Sequence, residues 1–97
     1  MAPVPAPTMP FDGDYIGVSR ESSCLASRVP VALIIRNGVV TGGSWQGNVN
    51  PQGAVVMGNR LAPRVDGQID SQGTLRAQGS SSAGGCTVTF VWRKESG

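Results

Sequence analysis

The side chains able to do chemistry in this chain are few. There is no His and one Lys among 97 residues, which removes every His-based triad and most zinc sites. Nucleophilic catalysis needs an activated Ser, Cys or Thr beside a base. Ten serines are present, but the only amine base is Lys94, near the C-terminal end, and no Ser-x-x-Lys spacing occurs. Acid–base work by paired carboxylates needs one buried and one wet partner. The available pairs are Asp12 with Asp14 and Asp66 with Asp70. Residues two or four apart on a strand project to the same side, so these read as wet-face and turn residues. Calcium prefers six to eight oxygens, which neither pair supplies. No G-x-x-x-x-G-K-[ST] loop and no G-x-G-x-x-G fingerprint is present, so a nucleotide has no cradle. The expectation is a protein that is not an enzyme, with no catalytic residue, no metal and no cofactor.

Binding chemistry has better candidates. Trp45 follows Gly42-Gly43-Ser44 and precedes Gln46. An indole amid small polar residues can stack on a sugar or plug a partner's pocket, although in a core poor in large side chains it also serves as packing. Tyr15, Trp45, Gln46 and Arg64 form the candidate binding surface. Phe90 and Trp92 share one strand face and read as core. Cys24 and Cys86 are too far apart for a CxxC motif. In a small Gly-rich domain they suit one disulfide and hence an oxidising compartment; the alternative is two buried thiols. Closing a loop of that length contributes roughly 4 kcal/mol in the chain-entropy model.

These residues must be positioned by strands. Fourteen Gly and seven Pro leave little room for long helices, and no run approaches 18 apolar residues, so no helix spans a membrane. Asn37-Gly38 between apolar runs is a two-residue hairpin signal joining Val31–Ile35 to Val39–Thr41. The pattern G-x-[VI]-[ND]-x-Q-G-x-[VL] occurs at Gly47–Val55 and again at Gly67–Leu75. In each copy Asn50 or Asp70 opens a turn, and Gly53 or Gly73 supplies its left-handed residue. Alternation with period two runs through Arg64–Asp70, Thr74–Gly79 and Cys86–Arg93, the mark of an antiparallel sheet with one buried face. Tyr15–Ser19 makes a first strand, Trp45–Val49 continues the third, and Ala54–Gly58 makes another. Ser19–Val29 has room for one helical turn, and Ser80–Gly85 for a loop tip.

The expected fold is all-β: a small antiparallel up-and-down meander of seven or eight strands closed into a barrel and stapled by one disulfide. Closure removes the exposed edges. A two-sheet sandwich of the same strands is the alternative. Inward Gly17, Gly47, Gly67 and Gly79 would let a narrow barrel bend. Residues 1–10 hold four prolines and read as an extended tail, with residues 11–95 as the single domain. This tail lacks the charged and apolar regions of a signal peptide. Such a tail is expected after a removed signal or anchor, so tethering through a removed N-terminal segment is part of the expectation.

The frame Phe11-Asp12-Gly13-Asp14-Tyr15-Ile16-Gly17, the Asn37-Gly38 turn, Gly67-Gln68-Ile69-Asp70 and the ending Val91-Trp92-Arg93-Lys94 resemble small exported proteins of alphaproteobacteria that open with F-D-G-x-Y and end near W-x-K. That resemblance spans residues 11–94 and implies a barrel and an exported location, without an activity. A remoter likeness is to the periplasmic metalloprotease inhibitors, single-disulfide barrels whose N-terminal tail enters the protease cleft.

A formal charge of +2, with the eight basic residues spread along the chain, argues against nucleic acid. The expected function is a non-catalytic periplasmic or secreted binding or structural module, with a protein or glycan of the cell envelope as partner. The alternatives are an inhibitor of an exported protease acting through its tail and loops, and a small-ligand carrier. The carrier suffers from size, since side chains alone fill a barrel this narrow.

Overall fold

A computed structural model of the chain describes residues 11–23, 28–60, 62–80 and 85–95. The Pro-rich tail, Cys24 and most of the Ser80–Gly85 loop lie outside them. Eight strands follow one another: β1 (Gly13–Ser22), β2 (Leu33–Arg36), β3 (Val39–Gly42), β4 (Trp45–Val49), β5 (Ala54–Gly58), β6 (Val65–Ile69), β7 (Thr74–Ser80) and β8 (Thr87–Lys94). Each pairs antiparallel with the next, and β8 returns to β1, so the meander closes into a barrel rather than a sandwich. No helix among the described residues is long and apolar enough to cross a membrane.

One end of the barrel is built from the turns legible in the sequence. Asn37 and Gly38 take φ of 53° and 75°, both positive as a type I′ turn requires. Asp12 caps that turn: its carboxylate accepts from the Asn37 and Gly38 amides at 2.7 and 3.3 Å. The two repeat copies fold alike. Asn50 Oδ1 accepts from the Gln52 and Ala54 amides at 3.0 and 2.9 Å, and Asp70 Oδ1 accepts from Gln72 and Thr74 at 2.8 and 3.0 Å. Gly53 and Gly73 sit at φ 85° and 83°. The Thr74 amide leads the interactions that lower the Asp70 pKa, because they favour the ionised carboxylate. Each turn is stitched to the next hairpin: Val49, Ile69 and Lys94 donate to the carbonyls of Gly38, Gly53 and Gly73.

Two details differ from the sequence reading. Trp45–Val49 does not continue the third strand. It is a separate β4, reached through a reversal in which Gly43 takes φ 55° and the chain turns back on Gly42. Ser19–Ser22 holds no helical turn, because those residues extend β1 along β8. A bulge at Val18, between the Gly17 and Ser19 pairings, bends this long strand around the barrel.

The core is the inner face of all eight strands. Tyr15, Leu33, Val40, Val55, Val65, Leu75 and Trp92 are fully buried within it. Trp45, Phe90 and Trp92 form an aromatic cluster. Phe90 and Trp92 stack with centroids 5.3 Å apart, and Trp45 meets them edge-on at 5.1 and 5.9 Å. Such contacts add roughly 0.5–1.5 kcal/mol per pair beyond area burial.

Candidate functional site

The two ends of the barrel differ. Three hydrogen-bonded turns and Phe11, packed on the core, occupy the turn end. At the other end, the mouth, the chain passes through longer connections between β1 and β2, β5 and β6, and β7 and β8.

The β1–β2 connection shapes the mouth. β1 and β2 pair directly only from Gly13 to Tyr15. The Arg28 amide then rejoins β1 by donating to the Arg20 carbonyl at 3.0 Å. Between these ties the two chains separate, and residues 29–32 lie across the gap. Gly17 makes room for them, since a Cβ there would run into the Pro30 carbonyl oxygen. Trp92 reaches out from the core, its Nε1 donating to the Val31 carbonyl at 2.8 Å. Val29 and Val31 are thereby turned to solvent, at 63% and 55% exposure, against the usual placement of valine.

Behind this segment opens a pocket of about 250 Å³. Its floor is Trp45, Val88, Phe90 and Ala62, all buried. Its rim is Arg20, Arg28, Ser44 and Asn59, with Val29, Pro30 and Val31 forming one side. Asn59 holds its own corner: its backbone amide donates to the Ala62 carbonyl at 2.9 Å, and its Oδ1 accepts from the Ala62 amide at 2.8 Å. Ala62 is thus fixed at the pocket floor.

The four residues singled out from the sequence do not share a surface. Tyr15 and Trp45 point into the barrel. Gln46 is exposed on the outer face of β4, and Arg64 is exposed with its Nε 3.4 Å from Asp66 Oδ1. Of the four, Trp45 alone lines the mouth pocket, with Phe90 beside it. The residues that sequence reasoning missed are Arg20, Arg28 and Phe90. The one available signal was the pair of valines at 29 and 31, flanking a proline just after Arg28.

Tyr15 belongs to the closure of the turn end. Its hydroxyl donates to the Phe11 carbonyl at 2.6 Å. Burial first, and the Asp12 charge second, push its pKa up to about 12. Because the folded value is raised, the stability that the neutral phenol supports is whole below the ordinary value of 10. It is lost as the pH rises through about 12. This is the only tyrosine, so its absorbance can be titrated directly. The phenolate should form near pH 12 and together with unfolding. Ionisation at an ordinary tyrosine pH with native circular dichroism retained would contradict this account.

Comparison with protein-family models, with curated proteins and with solved structures finds no match.

Proposed function

We propose that this chain is a non-catalytic binding module exported to the cell envelope, clasped by a Cys24–Cys86 disulfide and binding through the mouth of its barrel. The observation that carries the reading is the mouth pocket, an apolar floor under an arginine rim. The interior below is filled by side chains, and the pocket falls short of the ~300–1,000 Å³ usual for small-molecule sites. That favours a binding edge over a carrier that encloses its cargo.

Register supports the clasp. Ser22 pairs with Val88, and the Ser23 amide donates to the Thr87 carbonyl at 3.1 Å. In sequence, Cys24 directly follows Ser23 and Cys86 directly precedes Thr87, so each cysteine is the next residue beyond this pairing. Cys86 is buried in line with Val88, Phe90 and Trp92. A disulfide in turn implies an oxidising compartment.

The inhibitor alternative places binding in the tail and its neighbouring loops. Phe11, from which the tail leaves, is packed at the turn end, with its carbonyl held by Tyr15. The two readings therefore use opposite ends of the barrel and can be separated. The oxidised full-length protein, photo-crosslinked in envelope extract, should capture a partner. Ser44→Trp, which fills the mouth from an exposed turn, should abolish capture, and deletion of residues 1–10 should spare it. The reverse pattern would favour the tail, and capture indifferent to Ser44→Trp would overturn the mouth reading.

A further inference from the structure

We propose that the mouth pocket takes a small amphipathic carboxylate, with one aromatic or branched aliphatic group on the Trp45–Phe90 floor and its carboxylate on Arg28, with Arg20 beside it. The inference rests on the mouth being the binding end and names the chemistry that end selects.

Three observations carry it. The first is size: about 250 Å³ holds a single side-chain-sized group. The second is the floor. Trp45 is 5% exposed and lies edge-on to both Phe90 and Trp92. At that exposure it offers no open ring face on which a sugar could stack, and Val88 and Ala62 add apolar side chains beside it. An apolar group gains by burial there, at about 25 cal/mol per Å².

The third observation is the separation of charge. Among the described residues no carboxylate lines the pocket, although two arginines do. Asp12, Asp14, Asp70 and Glu95 lie at the turn end, and Asp66 faces Arg64 outside. Among the described residues no ion pair or side-chain hydrogen bond engages Arg28. A guanidinium beside an apolar floor suits an anion that is also hydrophobic, and its planar fork grips a carboxylate through two parallel hydrogen bonds. A bare phosphate would leave the floor empty, and a neutral hydrocarbon would leave the rim unused.

This chemistry has two sources: a free aryl or branched-chain acid, or the C-terminus of a peptide ending in an apolar residue. The test titrates the oxidised full-length protein, followed by amide chemical shifts, with four probes. Two are phenylpropanoate and its alcohol. The others are a short peptide ending in Phe, with its C-terminus free or amidated. The acid should bind about tenfold or more tightly than the alcohol, as expected for a hydrogen bond to a charged group. Arg28→Gln should erase most of that preference while leaving the alcohol's affinity unchanged. Ser44→Trp should block both. Both substitutions are at exposed positions, and unchanged thermal unfolding would confirm that each variant folds. Binding of the free-acid peptide but not its amide assigns the ligand to a protein terminus, whereas binding of phenylpropanoate alone assigns it to a small metabolite. Equal affinity for acid and alcohol, or no binding of any probe, overturns the ligand class. In that event, capture still lost on Ser44→Trp would leave the mouth reading standing, and capture unaffected by it would remove both.

Discussion

Replacing Trp92 with alanine is expected to remove a large part of the protein's stability. The side chain is fully buried between Phe90 and Trp45 and donates from Nε1 to the Val31 carbonyl. Removing a buried aromatic costs about 3–5 kcal/mol through lost burial and the cavity left behind. Orphaning the Val31 carbonyl adds about 1–3 kcal/mol. Domains of this kind hold only about 5–15 kcal/mol in total. Trp92→Phe separates the two effects, because it keeps an apolar ring and gives up the hydrogen bond. It should fall between wild type and Trp92→Ala. Urea unfolding of the three proteins measures this directly. A midpoint for Trp92→Ala within error of wild type would falsify the role assigned to this residue.

The second large effect concerns the clasp. If Cys24 and Cys86 are joined, the double Cys24→Ser/Cys86→Ser variant should lose roughly 4 kcal/mol. In a domain of this size each kcal/mol shifts Tm by about 4–8 °C, so the drop should be on the order of 20 °C. Reduction of the wild type should reproduce the drop, and reduction of the variant should do nothing. Native oxidised protein that alkylates at both thiols, with a Tm indifferent to reductant, would exclude the bond.

Both effects converge on one stretch. The distal half of β1, from Gly17 to Ser22, pairs with β8 on both sides of the Val18 bulge. Its other edge is held by the Arg28–Arg20 tie, with Trp92 anchoring the adjoining residues 29–32. Stretches with few backbone ties open first. Amides of residues 28–33 should therefore exchange faster than those of β6 and β7, and faster still once Trp92 or the proposed clasp is lost. The same residues form one wall of the mouth, so loss of either anchor should loosen the pocket before the barrel opens.

The turn end could be read almost residue by residue, because turn chemistry is local. Asn37-Gly38 needs positive φ wherever it sits, and an Asn or Asp side chain reaches amides only two and four residues on. The alternation that placed Val88, Phe90 and Trp92 on one face is equally local, since successive strand residues point to opposite sides. Gly42-Gly43 was harder. Two glycines between apolar stretches fit a bulge as well as a reversal, and only the pairing of Gly42 with Trp45 distinguishes them. Tyr15 was placed in the candidate binding surface, yet its hydroxyl has a partner four residues away that composition could not reveal.

The amino-acid order by itself determined that this chain would be a meander of short antiparallel strands with three specified turns, since both depend on neighbours a few residues apart. Only the tertiary structure decided that β8 closes on β1, and with what stagger. Closure depends on how twist and register accumulate around eight strands, and no single segment encodes that sum. The mouth pocket follows from closure. Arg20 comes from β1, Arg28 from the β1–β2 connection, Ser44 and Asn59 from two other connections, and Phe90 from the last strand. Nothing in their spacing foretells that they meet, because they are brought together by the return of the chain to its own beginning.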